Sequence, residues 1–257
     1  MHEVTVAILS SGSSGNSTLV RSSDASILVD AGLSCRELDN RLSSFGLDPS
    51  EISAVLLTHE HTDHTRGVDR FCSRHGSPLY ATAGTLSILK PSLADAKVLR
   101  PGEPLHIGPM TVNPFSVSHY AADPVAFSIS ADGARVSIAS DLGVVTDEVV
   151  SNVSGSDLLL VEANYDDSML MSGSYPDFLK RTIRSARGHL SNDDAGLLCA
   201  RAVTEATRTV VLVHLSKENN TPEKARRSVE RRMSALGASA RLEVTEHGSR
   251  NGPFRLR

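Results

Sequence analysis

The run Thr58-His59-Glu60-His61-Thr62-Asp63-His64 follows directly on the apolar stretch Ala54-Val55-Leu56-Leu57. A short uninterrupted apolar run of this kind reads as a buried strand. In an extended segment His59 and His61 point to the same side, because side chains alternate with period two. Asp63 and His64 follow once the chain turns. One short loop therefore presents two pairs of donors, which suits two adjacent metal ions better than one. Polar and charged side chains packed so tightly are costly unless a cation compensates them.

The same arrangement recurs along the chain. Ile27-Leu28-Val29 ends at Asp30, and the segment from Thr111 to Ser118 ends at His119. Val136 to Ser140 ends at Asp141, Leu158 to Val161 at Glu162, and Val210 to Val213 at His214. Loops beyond strand ends are where sites assemble in α/β proteins, since the sheet fixes their position while the loop side stays open. His59, His61, Asp63, His64, His119, Asp141 and His214 together make a seven-ligand set, the number expected of two hydrolytic metals sharing a carboxylate.

A chain of 257 residues with 40% hydrophobic composition is long enough to bury a full core, and residues 1–257 read as one domain. No long linker, low-complexity tract or repeat interrupts it. The net charge of -4 does not advertise a nucleic-acid binder, so any such binding must use a local basic patch. Cys35, Cys72 and Cys199 are widely spaced and form no CxxC pair, which fits reduced thiols, with Cys72 and Cys199 as core filler. There is no basic-then-apolar leader pattern and no apolar stretch near the ~20 residues of a membrane span, so a soluble cytoplasmic protein is expected.

Strands are predicted at Val4 to Ser10, Ser17 to Arg21 and Ile27 to Val29. The block from Val98 to Ala139 reads as consecutive antiparallel strands. Helices are predicted over 67–75 with Gly76 as the stop, over 175–187, over 191–207, and after Thr221-Pro222 up to Gly237.

These residues resemble the metallo-β-lactamase superfamily, through THEHTDH with His119, Asp141 and His214. Within it, the segments from Ser10 to Ser17, Gly188 to Asn192 and His214 to Asn220 look like the YycJ/WalJ branch, and the likeness covers essentially the whole chain. The resemblance implies an α/β fold (α+β in some schemes), a four-layer αββα sandwich. It implies a metal-dependent phosphodiesterase with 5′-to-3′ exonuclease activity on DNA, using two divalent ions, Zn2+ or Mn2+. His59, His61 and His119 would hold one ion, Asp63, His64 and His214 the other, with Asp141 bridging and Asp63 also counted as catalytic. Asp30 matches the buried aspartate that braces the ligand loop.

Departures from relatives narrow the activity. Zinc-binding β-lactamases with a Cys ligand carry it where this chain has Asp141, which disfavours β-lactam hydrolysis. Only 22 positions separate His119 from Asp141, too few for the tRNA-gripping arm of ribonuclease Z. The 73 positions from Asp141 to His214 hold no inserted domain of the ribonuclease J kind.

Two cations about 3.5–4 Å apart would share a hydroxide, lower its pKa and stabilise attacking and leaving oxygens. The leaving alkoxide needs a proton. His189 is the candidate donor, and Glu162 resembles the carboxylate that orients the equivalent histidine in ribonuclease Z-like enzymes. Ser191 reads as an N-cap with Asp194 three residues on, and Ser191 and Asn192 could meet a phosphate at that helix start. Ser216, Lys217 and Asn219 follow a metal ligand and could line a terminal-phosphate pocket. The Ser/Gly-rich loop 10–17 could offer amides to a phosphate or be a plain turn.

Lys180, Arg184 and Arg187 fall on one face of the helix predicted before His189, with Arg181 beside them, a candidate backbone-tracking surface. Arg226, Arg227, Arg231 and Arg232 form a second stripe. Aromatics are scarce, so stacking platforms are not evident. His2, His75, His106 and His247 have no ligand context. A small-molecule phosphodiesterase, an RNA-processing nuclease and a non-catalytic metal-binding module are the alternatives.

Overall fold

A computed structural model describes residues 3–92 and 96–256. His2 lies outside the described residues. The chain divides into two compact units, the first made of Met1–Ser116, Ala121–Ala134 and Gly248–Arg257, the second of Val117–Tyr120 and Arg135–His247.

In the first unit, β1 (Val4–Ser10), β2 (Ser17–Arg21) and β3 (Ser26–Val29) pair antiparallel in turn. The sheet continues in parallel through β4 (Ala54–Leu56), β5 (Leu79–Ala81) and β6 (Lys97–Val98). The C-terminal strand Asn251–Leu256 closes the other edge against β1. β3 and β4 are buried at every position, as strands covered on both faces must be, and this accounts for their unbroken apolar sequences. Helices α1 (Cys35–Ser44), α2 (Thr62–Thr65), α3 (Val68–His75) and α4 (Ala83–Leu89) fill the connections. α1 starts where Ser34 accepts the amide of Glu37, and buries Cys35, Leu38 and Leu42 along one stripe. α3 buries Val68, Phe71 and Cys72 and stops at Gly76 in the left-handed region, as the sequence predicts. These residues form one core with Leu28, Val55 and Leu57 of the sheet. A meander of β7 (Leu105–Ile107), β8 (Met110–Ser116) and β9 (Val125–Ala131) completes the unit.

The second unit is built on four parallel strands, β10 (Ala134–Ala139), β11 (Leu158–Glu162), β12 (Thr209–Val213) and β13 (Arg241–Val244). Its helices are α5 (Asp147–Val153), α6 (Asp167–Ser172), α7 (Asp177–Ile183), α8 (Asn192–Ala202) and α9 (Pro222–Ala235). Since β10, β11 and β12 run the same way, their carboxyl ends, where Asp141, Glu162 and His214 stand, lie along one edge.

Three expectations need correcting. The block 98–139 is not antiparallel throughout: β6 pairs in parallel with β5, and β10 with β11, the latter through a crossover containing α5. The helix expected over 175–187 is α7 alone, because past Arg184 the amides of Gly188 and His189 turn back to Ser185 and Ile183. The helix expected over 191–207 ends at Ala202, with Val203 extended and the Thr207 hydroxyl accepting the amide of Thr204. Among the described residues no helix is long and apolar enough to cross a membrane.

Candidate metal centre

Each unit carries its own set of donors. In the first, β4 ends at Leu56 and the chain enters α2, for which His61 is the N-cap. Asp30, at φ 62° just past β3, accepts the Thr58 amide at 2.9 Å, the Thr58 hydroxyl at 3.0 Å and His64 Nδ1 at 2.8 Å. With Nδ1–H given to Asp30, His64 presents its Nε2 lone pair on the other side, where it takes a hydrogen bond from Asn16 Nδ2 at 3.0 Å; a carboxylate fixes the tautomer of a metal-binding histidine in the same way. The Thr58 hydroxyl, having donated to Asp30, faces His59 Nδ1 at 3.0 Å and so leaves His59 Nε2 as an acceptor. That Nε2 lies 2.9 Å from His61 Nδ1. Two ring nitrogens converging in this way suit a shared cation, so the donor set fits a divalent metal.

Asn16 is a functional residue that sequence reasoning missed. Its Nδ2 reaches Asp63 Oδ2 at 3.2 Å and His64 Nε2 at 3.0 Å, while its Oδ1 takes the amide of Gly12. The loop 10–17 thus braces the ligand loop. Glu60 is a second such residue, accepting the Ala122 amide at 2.7 Å and the Thr85 hydroxyl at 3.3 Å. Gly32 makes the packing possible. A Cβ there would stand 1.7 Å from the Asp63 carbonyl oxygen and 2.6 Å from the Asn16 amide. Gly32→Ala should therefore push the ligand loop off Asn16 and weaken metal affinity by about 10–100-fold, the usual effect of losing a supporting contact. Metal titration against a chromophoric chelator, with circular dichroism to check folding, tests this; wild-type affinity would show that the loop is not held there.

In the second unit, Asp141, Glu162, His189 and His214 offer donor atoms within 4.8 Å of one another. His189 Nδ1 donates to Glu162 Oε1 at 2.6 Å, and His214 Nδ1 donates to the same oxygen at 3.0 Å. Glu162 Oε2 takes the amides of Leu142 and Leu190, so the fully buried carboxylate is anchored on both oxygens. Asp141 Oδ1 stands 3.6 Å from both His189 Nδ1 and His214 Nδ1, and 3.9 Å from His119 Nε2. His119 gives Nδ1–H to the Gly188 carbonyl at 2.8 Å, leaving Nε2 as its ligand atom. Asn164, also missed from sequence, holds the His214 carbonyl at 3.0 Å.

The electrostatics assign complementary states. Burial lowers the pKa of His119, keeping it neutral and ready to ligate. Burial would raise Glu162, but the charge of His189 and the hydrogen bonds from His189 and His214 override it and hold the carboxyl below its ordinary value. Burial likewise opposes charge on His189, and the Glu162 carboxylate, with Asp141 behind it, raises that imidazole above the usual histidine range.

Arg187 is not on the α7 face where the sequence placed it. Its Nε and Nη2 both donate to the His119 carbonyl at 3.2 Å, and its guanidinium lies 4.9 Å above the Tyr120 ring. There it braces the chain at His119. His75 also has a context that the sequence did not reveal: it bonds Asp39 at 2.8 Å, with Cys35 Sγ 4.0 Å from that carboxylate. Arg74 is paired with Asp39 as well, so this cluster is already neutralised.

Among the expected phosphate contacts, Ser191 caps α8, accepting the Asp194 amide at 3.1 Å, and Asn192 is buried with its amide paired to Asn220. Ser216 accepts the Asn219 amide at 3.1 Å and Lys217 is exposed. Asn219 is buried, and its Nδ2 has no hydrogen-bond partner among the described residues.

Residues 25–215 match the β-lactamase superfamily domain family. The chain is 33% identical over 236 residues to the exodeoxyribonuclease YycJ of Bacillus anthracis, covering 90% of this chain and 89% of that one. It is 37% identical over 226 residues to the exodeoxyribonuclease WalJ of Streptococcus pneumoniae, covering 85% and 84%. The metallo-β-lactamase fold protein YhfI of Bacillus subtilis superposes over 99% of this chain and 100% of its own, with a TM-score of 0.76 at 20% identity, which shows the fold. Through its sequence, its two α/β units and the donors at their strand ends, this chain belongs to the metallo-β-lactamase superfamily, in the branch of the YycJ and WalJ proteins.

Proposed function

We propose that this protein is a metal-dependent 5′-to-3′ exonuclease on DNA, working as one hydrolase domain over residues 1–257. The observation that carries the reading is the His189–Glu162 pair at 2.6 Å beside Asp141, a held proton source next to metal donors. The names of the 33% and 37% identical relatives support DNA as the substrate.

His59, His61 and His119 would hold one divalent ion and Asp63, His64 and His214 the other, with Asp141 as a ligand common to the two sets. The histidines suit zinc and the carboxylates also accept manganese. Bound there, the ions would supply Lewis acidity at neutral pH. Glu162 keeps His189 protonated and oriented through Nδ1, and His189 Nε2 hands its proton to the leaving oxygen. Ser216, Lys217 and Asn219, with Ser191 and Asn192 at the start of α8, contact the phosphate. The orphaned Asn219 amide supports that assignment, because a buried donor left unmade is costly. Three buried free cysteines agree with a reducing, cytoplasmic setting.

The test is incubation of the metal-loaded protein with end-labelled duplex DNA and, separately, with bis(p-nitrophenyl) phosphate. Release of mononucleotides from the 5′ end is expected. Turnover of the small ester alone would overturn the nuclease reading in favour of a small-molecule phosphodiesterase.

A further inference from the structure

The α6–α7 face of the second unit takes no part in the chemistry described above, yet its surface is unusual. Phe178 on α7 is 65% exposed and Met171 on α6 is 51% exposed, both among the few large apolar side chains left in solvent. Three cations share a cleft with Met171. Met171, Asp177, Lys180, Arg181 and Arg184 line a cleft of about 250 Å³. Arg181 stands one helical turn beyond Phe178.

Part of the positive charge here has no carboxylate partner, although Asp177 shares the cleft. Lys180 Nζ donates to the Met171 carbonyl, a neutral acceptor, at 2.9 Å. No carboxylate pairs with Arg181 among the described residues. Arg184 alone is paired, with the exposed Asp167 at 3.1 Å. The arginine stripe on α9 differs: Arg226 pairs with Glu230, while Arg231 and Arg232 share Asp193. Arg227 has no carboxylate partner among the described residues either, so what sets the α7 stripe apart is the exposed ring one turn from Arg181.

The face also leads to the chemistry. The Ile183 carbonyl at the end of α7 takes the His189 amide at 2.9 Å. Gly188 allows the turn to close, since a Cβ there would lie 2.1 Å from that same carbonyl oxygen. A strand lying along α7 is thereby brought to the residue that protonates the leaving group.

We propose that the α6–α7 face holds a single-stranded stretch of the DNA substrate, with phosphates on Lys180, Arg181 and Arg184 and an unstacked base against Phe178. The inference rests on the nuclease reading above. An exposed aromatic ring beside free cations is the combination by which single strands are bound, since every base offers a face to stack and every linkage a charge. A cleft of 250 Å³ is below the roughly 300–1,000 Å³ of enclosed small-molecule pockets, and suits a chain passing over it.

The test compares metal-loaded wild type, Phe178→Ala, Arg181→Glu and, as a control on α9, Arg227→Glu in degradation of a single-stranded overhang across a salt series. Phe178→Ala should raise KM for DNA about tenfold with kcat little changed, as expected from loss of one stacked base. Arg181→Glu should also raise KM and reduce the slope of log affinity against log salt by about one. Arg227→Glu should match wild type. Wild-type KM and salt slope in both α7 variants, with DNA degraded normally, would overturn this proposal and leave the nuclease reading standing. Equal weakening in all three variants would assign the effect to net charge and also overturn it. A wild-type protein inert on DNA would sink the nuclease reading, and this proposal with it.

Discussion

Asp141→Asn should give a folded protein that binds less metal and has lost about 10³-fold or more in kcat, the scale set by removing a charge aimed at the reacting centre. Asn is the informative replacement. Asp141 sits at φ 57°, in the left-handed region that Asn tolerates and Ala resists, so Asp141→Ala would add backbone strain to the lost charge. Asn preserves the shape of the side chain and removes only the negative charge that faces His119, His189 and His214 at 3.6–3.9 Å. Asp141 and the buried Glu162 are then the local counter-charges for any cation bound beside these imidazoles, and Glu162 is already engaged by His189 and His214. Metal content per chain, far-UV circular dichroism and nuclease rate measured on the same preparation separate the outcomes. A folded variant with full activity and unchanged metal content would overturn the assignment of Asp141 as the shared ligand.

The parts of the site that could be read from sequence are those written into strand ends. β1 and β2 fall where the apolar runs predict, at Val4–Ser10 and Ser17–Arg21. Asp30, Glu162 and His214 each stand at the carboxyl end of a fully or nearly fully buried strand, where an ionisable residue interrupts an apolar run. Such a signal is local, so spacing alone reveals it. The supports of the ligands leave no local trace. Asn16 acts on His64 from 48 positions away, and Arg187 reaches the His119 carbonyl across 68. Nothing in the neighbourhood of either residue distinguishes it from a polar loop residue, because a long-range hydrogen bond is a property of the folded topology. Arg187 shows the related error: helical spacing to Lys180 and Arg184 holds only while the helix lasts, and α7 ends at Ile183. The scarcity of aromatics was likewise uninformative about where they sit, since Phe178 and Tyr120 stand exposed while Phe71, Phe115 and Phe127 fill the cores.

His189→Ala should retain the full metal complement and lose about 10²–10⁴-fold in kcat on DNA, the usual contribution of a positioned general acid. The geometry gives this prediction a sharper form. Nδ1 of His189 is committed to Glu162 at 2.6 Å, with Asp141 at 3.6 Å on the same side of the ring. Only Nε2 is left to meet a substrate, and the Glu162 carboxylate on the other side of the ring favours its protonated form. An alkoxide leaving from a DNA chain needs that proton. A p-nitrophenolate is already a stable anion near neutrality and leaves without one. The loss in His189→Ala should therefore be large on DNA and small on bis(p-nitrophenyl) phosphate, while Asp141→Asn loses both activities together. Glu162→Gln should behave like a weaker His189→Ala, because the amide can still accept from Nδ1 but no longer stabilises the charged ring. The competing role for His189 is as a ligand, given that its donor atom lies within 4.8 Å of those of Asp141 and His214. Loss of a metal in His189→Ala, or equal losses on the two substrates, would establish that role and remove the proton donor from the mechanism.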